Sequence, residues 1–307
     1  EDLDTAIRLN PLYIQAYYNR GMGYTELGQY EQSIKDYNEA IRLDPEYDKA
    51  YYSRGITYTL LGQYEQAVQD FNTVITIIPQ YSKAYYSRAV AYNALGSHTQ
   101  AIEDLDKAIR LDPQDAGAYN NRGLVYRELG QHEQSIQDFG KSIQINPVSA
   151  GVYNNRGLAY IQLGKYEQSI EDYNEAIRLD PKHGNAYNNR GVAYRLLGKY
   201  EQALNDFDQA IDLDPQYVKA YYNRADVYDD LQKYQQAIKD LDTVIRLNPK
   251  YSKAYNNRGL AYSELGQYRE AIQDYTEAIR IDSGDKESYL SRAYSYADLG
   301  EHELAVQ

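Results

Sequence analysis

The chain has 307 residues with a net charge of −13 and a pI near 4.8. An excess of carboxylates repels phosphate backbones, which sets aside general binding to nucleic acid or to an anionic membrane, and no apolar run is long enough to be inserted in a bilayer. Tyr occurs 37 times and Cys never, so the core is aromatic and there are no disulfides, thiolate nucleophiles or cysteine-held metals; a cysteine-free chain fits either redox compartment.

One period organises everything that follows. Pro11, Pro45, Pro79, Pro113, Pro147, Pro181, Pro215 and Pro249 stand 34 residues apart. Tyr24 to Tyr296, Leu27 to Leu299 and Arg20 to Arg292 keep the same step without a gap. In chain order, residues 1–13 are a partial unit in which Glu1–Leu9 closes a helix, with Leu3 and Ile7 keeping the core pattern. The first full unit, 14–47, predicts two helices. Tyr17, Arg20, Gly21, Tyr24 and Leu27 share one helical face, and Gly28 suits the left-handed residue that ends a helix. Tyr30, Ser33, Ile34, Tyr37, Ala40 and Ile41 form the second stripe, which Asp44-Pro45 stops. The same reading recurs over 48–81, 82–115, 116–149, 150–183, 184–217, 218–251 and 252–285, and 286–307 opens a further unit. Gln232 stands where glycine ends the other first helices, and Ser283 where proline closes the other units. Neither helix of a unit can bury its stripe alone, so the units stack into one array. Opening at Glu1 without Met, and keeping Leu304 and Val306 in the core pattern at the other end, the chain reads as part of a longer array or as one that stacks end to end.

These residues resemble the tetratricopeptide repeat family, whose Trp-x2-Leu-Gly-x2-Tyr, Ala-x3-Phe, Pro pattern appears as Tyr17-x2-Arg20-Gly21-x2-Tyr24, Ser33-x3-Tyr37 and Pro45. Tyr for Trp and Arg for Leu are systematic departures. The resemblance implies an all-α, right-handed superhelical solenoid in which the first helix of each unit lines a concave groove.

The Arg column lies on the packed side, and buried charges need partners. Asp36, Asp70, Asp104, Asp138, Asp172, Asp206, Asp240 and Asp274 run beside the second stripe, so Arg20 is expected to pair with Asp36; pairing of Asp36 with Arg54 of the next unit is the alternative. Tyr17 and Tyr24 columns belong to the core, with hydroxyls near the surface.

One residue before each arginine runs a polar column that points away from the core: Asn19, Ser53, Ser87, Asn121, Asn155, Asn189, Asn223 and Asn257. Asn offers both a donor and an acceptor to a peptide backbone, and the column is similar to the asparagine ladder of O-linked N-acetylglucosamine transferases. Beside it lie Tyr18, Tyr52, Tyr86, Asn120, Asn154 and Asn188, then Tyr222, Asn256 and Leu290, and a column with Lys49, Lys83, Lys219 and Lys253. The match to the family's carboxylate clamp is incomplete: Tyr18 or Asn120 stands where the clamp has Lys, and Met22, Ile56 and Val90 where it has Asn. The groove is expected to be more basic over 14–217, with Lys49, Lys83, Arg127 and Arg195 against Glu26 and Glu128. It is expected to be acidic beyond, with Asp226, Asp229, Asp230, Glu264, Glu287 and Asp298 against Lys219 and Lys253.

Catalytic signals are missing from this pattern. His98, His132 and His302 occupy a column otherwise held by Tyr30 and Tyr64, His183 sits in a turn, and no two have metal-ligand spacing. The reading is therefore of a non-enzymatic scaffold, without cofactor or metal, that binds an extended segment of a protein partner. The alternatives are the regulatory or substrate-recruiting arm of a larger enzyme, such as a glycosyltransferase or a caspase-like protease, and a filament built by end-to-end contact.

Overall fold

The computed structural model describes residues 2–306, and every regular element among them is a helix. Two compact units divide the chain at 148/149. The first contains α1 (Asp2–Leu9), α2 (Ile14–Glu26), α3 (Tyr30–Leu43), α4 (Asp48–Leu60), α5 (Tyr64–Ile77), α6 (Ser82–Ala94), α7 (His98–Leu111), α8 (Ala116–Glu128) and α9 (His132–Ile145). The second contains α10 (Ala150–Gln162), α11 (Tyr166–Leu179), α12 (Gly184–Leu196), α13 (Tyr200–Leu213), α14 (Val218–Asp230), α15 (Tyr234–Leu247), α16 (Ser252–Glu264), α17 (Tyr268–Ile281), α18 (Lys286–Asp298) and α19 (His302–Ala305). Even-numbered helices are termed A and odd-numbered ones B. No helix of the described residues is long and apolar enough to cross a membrane.

Local chemistry places the boundaries. At the end of α2, Gly28 takes φ 71°, its N–H bonds Thr25 O at 3.0 Å and the Gln29 N–H bonds Tyr24 O at 2.8 Å. These are the two crossed bonds that satisfy the last carbonyls of a helix. At the end of α3, Asp44 is extended before Pro45, and its carboxylate accepts the Glu46 N–H at 3.0 Å. Gln232 is the one non-glycine residue with positive φ among those described, at 57°.

Within each repeat the A and B helices meet through a matched pair of sizes. Gly21, Gly55, Gly123, Gly157, Gly191 and Gly259 each lie under the ring of a B-helix aromatic: Tyr37, Phe71, Phe139, Tyr173, Phe207 and Tyr275. A Cβ on Gly157 would stand 2.6 Å from the Tyr173 ring. Where the A helix carries Ala89 or Ala225, the B helix carries Leu105 or Leu241, and these buried pairs sit in common clusters. Glycine in a helix costs about 0.5–1 kcal/mol relative to alanine; burying a large side chain returns about 1.5–3 kcal/mol, so the close approach is favourable. Leu27 differs from its expected place: it is the C-cap of α2 and 73% exposed, whereas Leu231 at the same position packs against the Phe207 and Val227 cluster. The Tyr17 and Tyr24 rings are half-buried, and the most deeply buried rings are those of the B helices.

Within each unit every A helix packs on the B helix that follows it, and, where a B helix of the same unit precedes it, on that one as well. Neighbouring A helices also touch: α2–α4, α4–α6 and α6–α8 in the first unit, and α10–α12, α12–α14 and α16–α18 in the second, with α14 and α16 joined by a hydrogen bond from Asn257 to Tyr222. Each unit therefore holds a row of A helices, and the candidate columns lie along it.

Candidate protein-interaction face

The row is held by its arginines. Arg156 Nε and Nη2 donate to the two oxygens of Asp172 at 2.8 and 2.6 Å. The same two-pronged pairing joins Arg20 to Asp36, Arg54 to Asp70, Arg88 to Asp104, Arg122 to Asp138, Arg190 to Asp206, Arg224 to Asp240 and Arg258 to Asp274. The partner is the aspartate of the same repeat, which decides between the two pairings left open by the sequence. The third arm, Nη1, reaches the preceding B helix: Arg20 to Asp4 and Arg190 to Asn174, each at 2.7 Å. Arg54, Arg88, Arg122, Arg224 and Arg258 likewise reach Asn38, Asn72, Asp106, Asp208 and Asp242. Tyrosines three residues before and four after flank the guanidinium, with Arg156 lying 5.7 Å from the Tyr153 ring centre and 6.0 Å from that of Tyr160. Charge-assisted, two-pronged bonds of this kind are among the strongest available to a side chain. Hydrogen bonding to Asp172 raises the pKa of Arg156, while burial pushes the Asp172 carboxyl up against the opposing pull of Arg156.

The polar columns are joined to one another as well as facing outward. Asn121 Nδ2 donates to the Tyr86 hydroxyl at 2.6 Å, Asn189 to Asn154 at 3.0 Å, Asn223 to Asn188 at 2.9 Å and Asn257 to Tyr222 at 3.0 Å. Tyr52 and Ser87 share a bond of 3.2 Å. Each of these links one A helix to the A helix before it. Ser87, Asn154 and Asn188 are buried. Asn19 is exposed and accepts from Gln15 at 2.8 Å. Ser53, Asn120, Asn121, Asn155, Asn189, Asn223 and Asn257 are half-buried, and Lys49 and Lys83 are exposed. The Tyr18, Tyr52 and Tyr222 rings pack edge-on or tilted against Tyr47, Tyr81 and Tyr251, the last residues of their own repeats, at 5.5, 5.3 and 5.2 Å. Burial is the first cause of the raised pKa of Tyr86 and of the rise of Tyr222 to about 12.

Two features escaped the sequence reading. The third arm of seven arginines has its acceptor in a column of its own, Asp4, Asn38, Asn72 and Asp106, then Asn174, Asp208 and Asp242, which keeps the repeat period and has Gly140 at its fifth place. Arg195, counted above among the basic groove residues, is held by the following repeat: Nη1 bonds Asp226 at 2.8 Å and Nε bonds Asp230 at 2.6 Å. Its charge is spent on those two carboxylates. Of the histidines, His98 bonds Asn93 at 2.9 Å, as a polar substitute at a helix start.

Residues 23–62, 90–130, 123–164 and 157–198 match the TPR repeat profile, and residues 48–81, 184–217, 218–251 and 252–285 match the profile described as tetratricopeptide repeat. No curated protein sequence matches the chain at a significant level. Among solved structures, the chain is similar to the APC/C hetero-tetramer Cut9-Hcn1, at 17% identity and a TM-score of 0.64 over 87% of this chain and 52% of that one. It thus spans about half the length of that relative. It is similar to YrrB, a TPR protein with an unusual peptide-binding site, at 22% identity and a TM-score of 0.51 over 61% of this chain and 96% of that one. MamA matches at 26% identity and a TM-score of 0.50, over 53% of this chain and 95% of that one. With the repeat profile recurring along most of its length, the chain belongs to the tetratricopeptide repeat family.

Proposed function

We propose that the chain is a protein-interaction scaffold that holds an extended segment of a partner protein along the exposed face of its A helices. The observation that carries this is variation on a constant frame. The arginine clamp and the glycine-ended helices repeat almost unchanged, while two series on the A helices change from repeat to repeat. One reads Gln15, Lys49, Lys83, Gly117 in the first unit and Gly151, Asn185, Lys219, Lys253 in the second; the other reads Met22, Ile56, Val90, Leu124 and then Leu158, Val192, Asp226, Leu260. A constant frame whose A-helix face changes its side chains from repeat to repeat offers a surface that a partner can read. In this reading each repeat contributes one A helix to the face of its own unit. The Asn and Tyr ladder sets the spacing, and oxygens of Asn19, Ser53, Asn121, Asn155 and their neighbours meet the partner's backbone. Lys49 and Lys83 favour acidic residues in the partner segment. The likeness to YrrB, described by its peptide-binding site, accords with this use. The work assigned to the chain is recognition and not catalysis.

Panning a displayed peptide library against the intact chain tests the proposal. Enriched peptides should lose at least about tenfold in affinity, or ~1.4 kcal/mol, when the exposed Lys83 and Lys253 are both changed to Glu. Changing Glu175 and Arg178, an exposed ion pair on the B helix α11, to Ala should leave affinity unchanged. No enrichment, or peptides sensitive to the B-helix changes alone, overturns it.

A further inference from the structure

The repeat 218–251 departs from the others at positions that meet in one place. Ala225 and Leu241 replace the glycine and ring found in most repeats, and Asp226 is the one charged residue in the otherwise apolar series from Met22 to Leu260. Between them opens a cavity of about 250 Å³. Ala225, Leu241 and Leu260 supply its apolar lining, and Tyr222 and Asn257, bonded at 3.0 Å, supply one wall. The Cβ of Ala225 takes the place where a ring edge lies in the glycine repeats, and Leu241 is shorter than the ring it replaces, which leaves the space.

The polar side of the cavity is short of positive charge. Asp226, Asp229 and Arg195 stand there, and Arg195 already serves Asp226 and Asp230. Asp226 also accepts from Asn257 at 3.1 Å. The carboxyl of Asp229 is pushed above its ordinary range by burial and then by the negative charges of Asp230 and Glu264. The repeat 82–115 has the same small pair, Ala89 and Leu105, but Val90, Asn93 and Thr59 occupy the positions of Asp226, Asp229 and Arg195. A trimmed core and an acidic rim coincide only in 218–251. A second cavity of about 320 Å³ shares Tyr222 and Asn257 and is bordered by Asp282, Asp285, Glu287 and Lys253, so the track continues along the face with the same sign of charge.

We propose that the cavity receives an arginine side chain of the bound partner segment, its methylene stem against Leu241 and Leu260 and its guanidinium between Asp226 and Asp229. This rests on the scaffold reading above. A long aliphatic stem under a charged head fits an apolar floor beneath an acidic rim. The planar fork of arginine matches carboxylates in a way the ammonium of lysine does not.

The test uses the intact chain with labelled Leu and Val methyl groups, observed by NMR. The probes are N-acetyl-arginine amide and its neutral analogue N-acetyl-citrulline amide. Saturable shifts are expected at Leu241 and Leu260 with the arginine compound, none at Leu105 and Leu124, and at least about tenfold weaker binding of the citrulline compound. Asp229→Asn, at the cavity rim, should weaken binding several-fold. Ala225→Gly with Leu241→Phe, which installs the pair used by other repeats, should abolish it. Absence of saturable shifts, equal shifts with citrulline, or unchanged binding in Asp229→Asn overturns the pocket. Display-selected peptides that still bind under such a result leave the scaffold reading standing, whereas failure of the panning alone removes the scaffold and not the pocket's affinity for the guanidinium.

Discussion

Arg156 shows what a charge inside a helical stack requires. Its counter-ion Asp172 is 4% exposed, and neither oxygen of that carboxylate has water to turn to if the guanidinium is removed. Arg156→Ala should therefore destabilise the chain by about 3–5 kcal/mol in urea denaturation at pH 7. Arg156→Leu combined with Asp172→Asn removes both charges and should cost far less. A loss below about 0.5 kcal/mol for the single change would class the arginine as a surface residue. The dependence on pH has a definite sign. Burial already raises the Asp172 pKa above 3.8, and losing Arg156 raises it further. A carboxyl with a raised pKa binds its proton more tightly in the folded chain than in the unfolded one. Its contribution is present below the unfolded value and is lost as pH rises through the folded one. The deficit of Arg156→Ala should therefore shrink as pH falls from neutrality toward the ordinary carboxylate range.

Helix pairing is governed by the sizes of two residues sixteen positions apart. With a Cβ only 2.6 Å from the Tyr173 ring, Gly157→Ala overpacks the α10–α11 contact and should cost about 1–3 kcal/mol. Gly157→Ala with Tyr173→Leu recreates the Ala89–Leu105 pair and should recover most of that loss in thermal or urea unfolding. If the double variant is no better than the single, the two positions do not act as a pair. At the end of α14 the left-handed Gln232 carries a penalty that glycine avoids, so Gln232→Gly should stabilise by about 1 kcal/mol and slow amide exchange over 226–234. Such packing explains how far the sequence could be read. The period, the helix ends and the need of each Arg for an Asp were legible because each follows from a local steric rule or from a charge that must be neutralised, while the choice between the Asp of the same repeat and that of a neighbour was not. The third arm of the arginines and the Gly–ring match were equally present as columns, but their meaning depends on which B helix stands beside each A helix. Asn121 and Asn189 were legible as polar and outward-facing, not as bonded to the preceding repeat. Arg195 looked free because its partners lie 31 and 35 residues further on.

For the molecule as a whole, repetition makes stability a sum over neighbouring pairs. Removing residues 184–217 should leave a chain that still folds, because Arg224 would then meet Asn174 where it now meets Asp208 and its own partner Asp240 is untouched, although Asp226 and Asp230 lose Arg195. Urea unfolding of that shortened chain should show an m-value reduced by roughly a tenth, in line with the surface removed; loss of cooperative unfolding would mean that the repeats are not interchangeable. The ladder along the A helices adds something that interchangeability alone does not give. Asn121, Asn189, Asn223 and Asn257 all donate to the repeat before their own. Within the second unit the amides of Asn189, Asn223 and Asn257 run in one sense, against a single forward bond from Asn256 to Ser288, and give that row a direction. A polypeptide laid along it also has a sense, from amino to carboxyl end, so the two possible orientations are not equivalent. The scaffold would sort its ligands by polarity as well as by side chain.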